Sequence, residues 1–124
     1  MSAPRDKGCV GEAAVRMYLE AKGYVFVAGN VRVGHDEIDL IMRDGSALVF
    51  VEVKLRSEDL KGLEAVDEGK RRRLSRAAVG YLAKNGGLER AARFDVAEVC
   101  YDGAQMEIHH VKDAFPLSHG RYFV

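Results

Sequence analysis

From about Gly8 to Lys22 the apolar residues Val10, Ala13, Ala14, Met17, Tyr18 and Ala21 recur at three- and four-residue steps. That spacing predicts an amphipathic helix ended by Gly23. Glu12 shares a second stripe with Val15 and Leu19. Its carboxylate either reaches toward the sheet on which the helix packs or stays on the helix flank. A short strand follows from Tyr24 to Ala28, then a loop containing Asn30, Arg32, Gly34 and His35. The run Glu37 to Met42 alternates, with Glu37, Asp39 and Ile41 on one face and Ile38 and Leu40 on the other. Arg43 to Ser46 carries a hairpin turn signal. The returning strand, Ala47 to Leu55, sets Val49, Val51, Val53 and Leu55 against Phe50, Glu52 and Lys54.

A polar stretch from Arg56 to Glu64 leads to a second helix from about Asp67 to Lys84, whose apolar stripe is Leu74, Ala77, Ala78, Tyr81 and Leu82. After Asn85 to Gly87 come a strand over Arg93 to Cys100, a turn at Tyr101 to Gly103 and a last strand near Gln105 to Val111. Ala114 to Pro116 and Tyr122 to Val124 either dock on the core or stay loose. No repeat, linker or low-complexity segment interrupts the order. Residues 1–124 are therefore expected to form one α/β domain, a mixed sheet flanked by helices.

At 124 residues and 48% hydrophobic content, one domain can bury roughly two thirds of its unfolded surface without staples. Cys9 and Cys100 stand far apart with no metal-binding spacing, and His109 and His110, as strand neighbours, point to opposite faces and cannot chelate one ion together. No stretch has the apolar run of a signal peptide or a membrane span, so a cytoplasmic protein without membrane partners is expected.

Charge sharpens this picture. Lys plus Arg and Asp plus Glu number 19 each, which excludes a uniformly basic nucleic-acid coat. The balance is uneven along the chain: residues 1–69 sum to −4, residues 70–93 to +7 and residues 94–124 to −3. The middle block holds Lys70, Arg71, Arg72, Arg73 and Arg76. These either neutralise phosphates or form a solvated helix face paired with nearby acids.

The candidate chemistry lies at Asp39, Glu52 and Lys54. A two-residue spacing puts Glu52 and Lys54 side by side, and the hairpin brings Asp39 to the neighbouring strand. Two carboxylates this close repel each other and raise at least one pKa unless a cation lies between them. Hard oxygen ligands of this kind suit Mg²⁺ or Mn²⁺, which bind through one or two carboxylates plus substrate phosphate. Phosphodiester hydrolysis requires such a site: Asp39 and Glu52 would hold the metal and the Val53 carbonyl could add a ligand. Lys54 would orient the attacking water or meet the developing charge, and Glu12 would be a further ligand or a water-mediated contact. The alternative is a cross-strand Asp–Lys pair among solvated acids.

The strand-hairpin-strand placement of Asp39, Glu52 and Lys54 resembles the PD-(D/E)xK signature of restriction-endonuclease-like nucleases. An N-terminal helix carrying Glu12 is similar to that of archaeal Holliday-junction resolvases. More closely, the chain resembles the YraN family of small endonuclease-like bacterial proteins. The matching residues are Gly11, Glu12 and Ala14; Tyr18 and Leu19; Gly23 and Tyr24; Asn30 and Arg32; Glu37 to Ile41; Val49 to Lys54; Lys70 and Arg73; Ala78, Tyr81 and Leu82; Arg93 to Asp95; and Ala114 with Phe115.

The resemblance implies a restriction-endonuclease-like αβββαβ core, with Glu12, Asp39 and Glu52 as metal-linked acids and Lys54 as the catalytic lysine. It makes Glu37 and Lys70 supporting positions, and Lys70, Arg73, Arg32 and Arg76 are the candidate nucleic-acid contacts. Two departures stand out: Ile38 replaces the proline before the first acid, and Asp36 replaces a glycine, adding negative charge that could repel DNA or extend the metal site. The expected function is a divalent-metal-dependent nuclease acting on DNA, including branched or distorted forms. The alternatives are a non-catalytic nucleic-acid-binding module on the same fold and, with no glycine-rich phosphate cradle to support it, a small-molecule phosphoesterase. A symmetric homodimer is open, because nucleases of this fold that cut both strands often pair two active sites.

Overall fold

The computed structural model describes residues 3–57, 68–87, 91–102 and 104–116. Most of the polar stretch that ends at Glu64, the expected helix start at Asp67, Gly103 and the end segment Tyr122 to Val124 lie outside the described residues, as does the Cys9 side chain. The order is α1 (Ala3–Ala21), β1 (Val25–Val33), β2 (Asp36–Asp44), β3 (Ala47–Ser57), α2 (Glu68–Lys84), β4 (Ala92–Asp102) and β5 (Gln105–Phe115). The five strands form one sheet in sequence order. β1, β2 and β3 are an antiparallel meander, α2 carries the chain across to β4 parallel to β3, and β5 returns antiparallel. The expected mixed α/β sheet with helices packed on it is present.

Both faces of the sheet are covered, and this explains the apolar alternation. Val15 and Leu19 of α1 pack with Leu40, Met42, Val49, Val51, Ala97 and Val99. Leu74, Ala77, Ala78 and Leu82 of α2 pack on the opposite face with Phe50, Phe94 and Phe115. Phe115 stacks on Phe94 at 4.7 Å between ring centres, so the Ala114–Phe115 segment docks on the core. α1 ends at Gly23 as expected: with φ at +98°, Gly23 lets the Tyr24 N–H reach back to the Leu19 carbonyl at 3.0 Å. Among the described residues no helix is long and apolar enough to cross a membrane.

Four expectations need correction. α1 begins at Ala3 rather than near Gly8, and β5 continues past Val111 to Phe115. The loop expected around Asn30 and Arg32 is strand: β1 runs through to Val33 because Val31, Arg32 and Val33 pair with Ile38, Glu37 and Asp36. Pairing overrides the poor local propensity, and Asn30 takes up the strain by adopting φ of 51°. Only Gly34 and His35 form the turn. Finally, Ile38 does not share a face with Leu40. Ile38 packs with Ile41 on the α2 side, whereas Leu40 packs with Met42 on the α1 side. Regular β2–β3 pairing runs from Asp44 opposite Ala47 only as far as Leu40 opposite Val51. Strict alternation presumes a continuous ladder, and here the ladder stops.

A buried polar network ties the far half of the sheet together. Asp95 is fully buried and accepts from Arg93 Nε at 2.9 Å and from the Asp113 N–H at 3.0 Å. His110 Nε2 lies 2.7 Å from its other oxygen. Arg93 also reaches Asp44 at 3.1 Å and the Tyr24 hydroxyl at 2.6 Å. As expected for strand neighbours, His110 is packed inside this network while His109 is exposed.

A candidate carboxylate centre where two strands part

Beyond the Leu40–Val51 pair, β2 and β3 separate, and a side chain fills the opening. Asp39 Oδ2 accepts the Val53 N–H at 2.9 Å, so a carboxylate replaces the missing ladder bond. In a strand the N–H and C=O of one residue point the same way. The Val53 carbonyl therefore faces the same opening. Glu52, only 6% exposed, lies on the α2 side of β3. Its Oε2 is 3.2 Å from Lys70 Nζ in the first turn of α2 and 3.9 Å from Lys54 Nζ. Lys54 and Lys70 thus flank one buried carboxylate from a strand and from a helix.

Burial pushes the Asp39 carboxyl up to about 7, helped by the negative charge of Glu52 and offset in part by the Val53 N–H. The closeness of the Glu52 carboxyl favours the protonated form of Asp39 further, and Lys70 lowers its pKa. A proton on one of the two acids relieves their repulsion, as a cation between them would. The donor set of two carboxylates and a strand carbonyl, all hard oxygens, fits Mg²⁺ or Mn²⁺.

Glu12 arrives from α1 on the opposite face. Burial raises its pKa first; a hydrogen bond from Asn30 lowers it, and repulsion from Asp39 and then Glu37 raises it. Glu12 stands near the pair but not within it: among the described residues no three His, Cys, Asp or Glu side chains converge as a ready metal cluster. Asn30 is the contact that sequence reasoning passed over. It lies between Gly29, paired with Leu40, and Val31, paired with Ile38, and so opposite Asp39. Its signal was present in the tolerance of asparagine for positive φ.

A cavity of about 210 Å³ opens beside Asp39, lined also by Glu37, Lys70 and Arg73, with His35 and Asp36 at its outer end. Arg73 is exposed and contributes to the cavity wall. Arg32 is exposed on β1, opposite Glu37 in register. Arg76 grips Asp36 with two hydrogen bonds of 2.9 and 3.1 Å. These hold the Asp36 carboxyl below its usual range. Asp36 is therefore a partner of Arg76 rather than a bare repulsive charge. Arg72 pairs with Glu68 at 3.5 Å, so the reading of the basic run as a surface paired with acids holds for these two arginines.

Residues 11–99 match the profile of "Uncharacterised protein family UPF0102". The chain is 48% identical over 114 residues to a UPF0102 protein of Halorhodospira halophila, covering 90% of this chain and 88% of that protein. It is 50% identical over 97 residues to one from Symbiobacterium thermophilum, covering 77% and 82%. A Geobacter metallireducens relative is 40% identical over 117 residues, covering 93% and 96%. The names of these relatives state no activity.

Proposed function

This chain belongs to the uncharacterised family UPF0102, and from its carboxylate centre we propose that it is a divalent-metal-dependent nuclease hydrolysing phosphodiester bonds in DNA on a restriction-endonuclease-like core. The observation that carries the reading is the buried carboxylate pair, Asp39 on the Val53 N–H and Glu52 between Lys54 and Lys70, with the Asp39 pKa raised by burial and by Glu52. The element order supports the fold assignment: a helix, an antiparallel three-strand meander, a crossover helix and a strand parallel to β3.

In this reading Asp39, Glu52 and the Val53 carbonyl would hold Mg²⁺ or Mn²⁺, with Glu12 as an outer acid, and the chemistry such an ion would supply is Lewis-acid polarisation of the scissile phosphate and a nucleophile near neutral pH. Lys54 orients the attacking water and meets negative charge developing on the phosphate. Lys70 leaves part of its pairing with Glu52 to share a phosphate oxygen, and Arg73 holds the adjacent phosphate at the cavity wall. Glu37, on the same cavity lining as Asp39, adds negative charge that a bound cation would offset.

A second reading, a nucleic-acid-binding module without turnover, is favoured by the position of Glu12 outside the pair. Labelled duplex, single-stranded and junction DNA incubated with the protein in Mg²⁺ or Mn²⁺ separates the two. Cleavage abolished by Asp39→Ala and Glu52→Ala supports the nuclease; cleavage unchanged by both substitutions contradicts it.

A further inference from the structure

The cavity beside Asp39 continues into a second one. The two share His35 and Asp36, and the second, of about 410 Å³, is walled by Val33, Val79, Gly80 and Ala83, with Arg76 at its rim. A volume near 400 Å³ lies within the range of small-ligand pockets. The wall follows from helix spacing. Lys70, Arg73, Arg76, Val79 and Ala83 recur at three- and four-residue steps along α2. Three-residue steps wind around the helix, so Lys70 and Arg73 line the first cavity while Arg76, Val79, Gly80 and Ala83 come round to line the second, cationic at its start and apolar beyond.

Gly80 and Val33 close the floor of the apolar half. A Cβ at Gly80 would lie 2.7 Å from Val33 Cγ1, so α2 and β1 touch there. The result is a slot open to solvent, with small side chains at its sides and a floor over which a flat ring can lie. At its mouth stands the exposed imidazole of His35, a ring able to stack on a base. The Asp36–Arg76 fork adds polar groups at the same edge. From Asp36 to Asp39 an extended strand covers roughly 10 Å, so the slot begins close to the proposed cutting site. Cations beside the carboxylate pair and an apolar slot beyond them match a phosphate followed by a base.

We propose that this second cavity receives the base of one unpaired nucleotide flanking the scissile phosphate. The inference rests on the nuclease reading and narrows its substrate to DNA with an extruded or single-stranded nucleotide at the cut. A base stacked in continuous duplex cannot enter the slot without leaving the helix.

The test measures binding rather than turnover. Asp39→Asn protein is titrated by fluorescence anisotropy with a duplex carrying one bulged nucleotide, the same duplex fully paired, and the bulged duplex with an abasic bulge. Bulged DNA is expected to bind roughly fivefold or more tighter than the other two, the low end of base stacking on a side chain. Ala83→Trp, on an exposed part of the slot wall, should remove that preference selectively. His35→Ala should weaken it, and serves as the second variant if the tryptophan disturbs α2 packing, which circular dichroism reads. Equal affinity for all three DNAs, or a bulge preference unaltered by both variants, overturns the proposal. Cleavage by the wild-type protein in Mn²⁺ is scored separately. A bulge preference without cleavage overturns the nuclease reading and supports the pocket, whereas cleavage without a bulge preference does the reverse.

Discussion

Asp39 gives Val53 the hydrogen bond that a strand neighbour would otherwise supply, at 2.9 Å, and by doing so keeps β2 and β3 apart at the one place where a second carboxylate, Glu52, is buried. The opening between the strands and the proposed ligand site are the same feature. Stability and chemistry are coupled there.

The coupling has a sign. In the unfolded chain Asp39 titrates near 3.8, and in the fold at about 7. Between those values the folded state holds the extra proton, so stability falls as pH rises through this window. The contribution is complete below the lower value and lost above the upper one, on the order of 4 kcal/mol at most before screening. Thermal unfolding from pH 4 to 8 should show the decline. Asp39→Asn should flatten it and exceed the wild type in stability at pH 8, while Mn²⁺ at a hundred times its Kd should restore about 2.7 kcal/mol to the wild type alone. A wild-type profile as flat as that of Asp39→Asn would contradict the raised Asp39 pKa.

Asn30 has two separable features, a φ of 51° and a side chain that holds the Glu12 pKa down. Substitution separates them. Asn30→Gly keeps the backbone and loses the amide, so stability should change by under about 1 kcal/mol while the Glu12 pKa, followed by NMR, rises further. Asn30→Val should lose stability by roughly 1–3 kcal/mol through backbone strain. An unchanged Glu12 titration in Asn30→Gly would show that the amide plays no part.

Much of this centre was legible because the strand period is exact: Glu52 and Lys54, two residues apart, fall on one face whatever surrounds them. The end of the ladder at Leu40 was not legible, since alternation presumes continuous pairing and so groups Ile38 with Leu40, which the fold sets on opposite faces. Asn30 and Arg32 read as loop because local propensity carries no knowledge of the partner strand. The charge of α2 was visible, but the Arg76 partner, Asp36, lies 40 residues away and only the fold brings them together.

That ion pair predicts a gain of function in binding. Arg76 is 55% exposed at its side chain, so losing the pair should cost stability little, under about 1 kcal/mol. Asp36→Ala should nevertheless tighten binding to continuous duplex and steepen the dependence of log K on log salt by about one unit, as Arg76 turns to a phosphate. A salt slope identical to that of the wild type would mean that Arg76 does not reach the DNA.

Asp95 should behave in the opposite way. Its removal leaves Arg93 and His110 without their buried acceptor, and Asp95→Ala is expected to cost roughly 3–5 kcal/mol in urea unfolding. Mn²⁺ affinity of the variant that remains folded should match the wild type. A loss under about 1 kcal/mol would show that the network is not a structural tie.

The most direct test of the central claim is a Mn²⁺ titration followed by calorimetry and by paramagnetic broadening of backbone amides. One ion per chain is predicted, bound at millimolar or lower concentration, broadening Asp39, Glu52, Val53 and Lys54 first and losing its site in Asp39→Asn and in Glu52→Gln. No heat at millimolar Mn²⁺, or broadening centred elsewhere and indifferent to both substitutions, would contradict the metal-dependent centre.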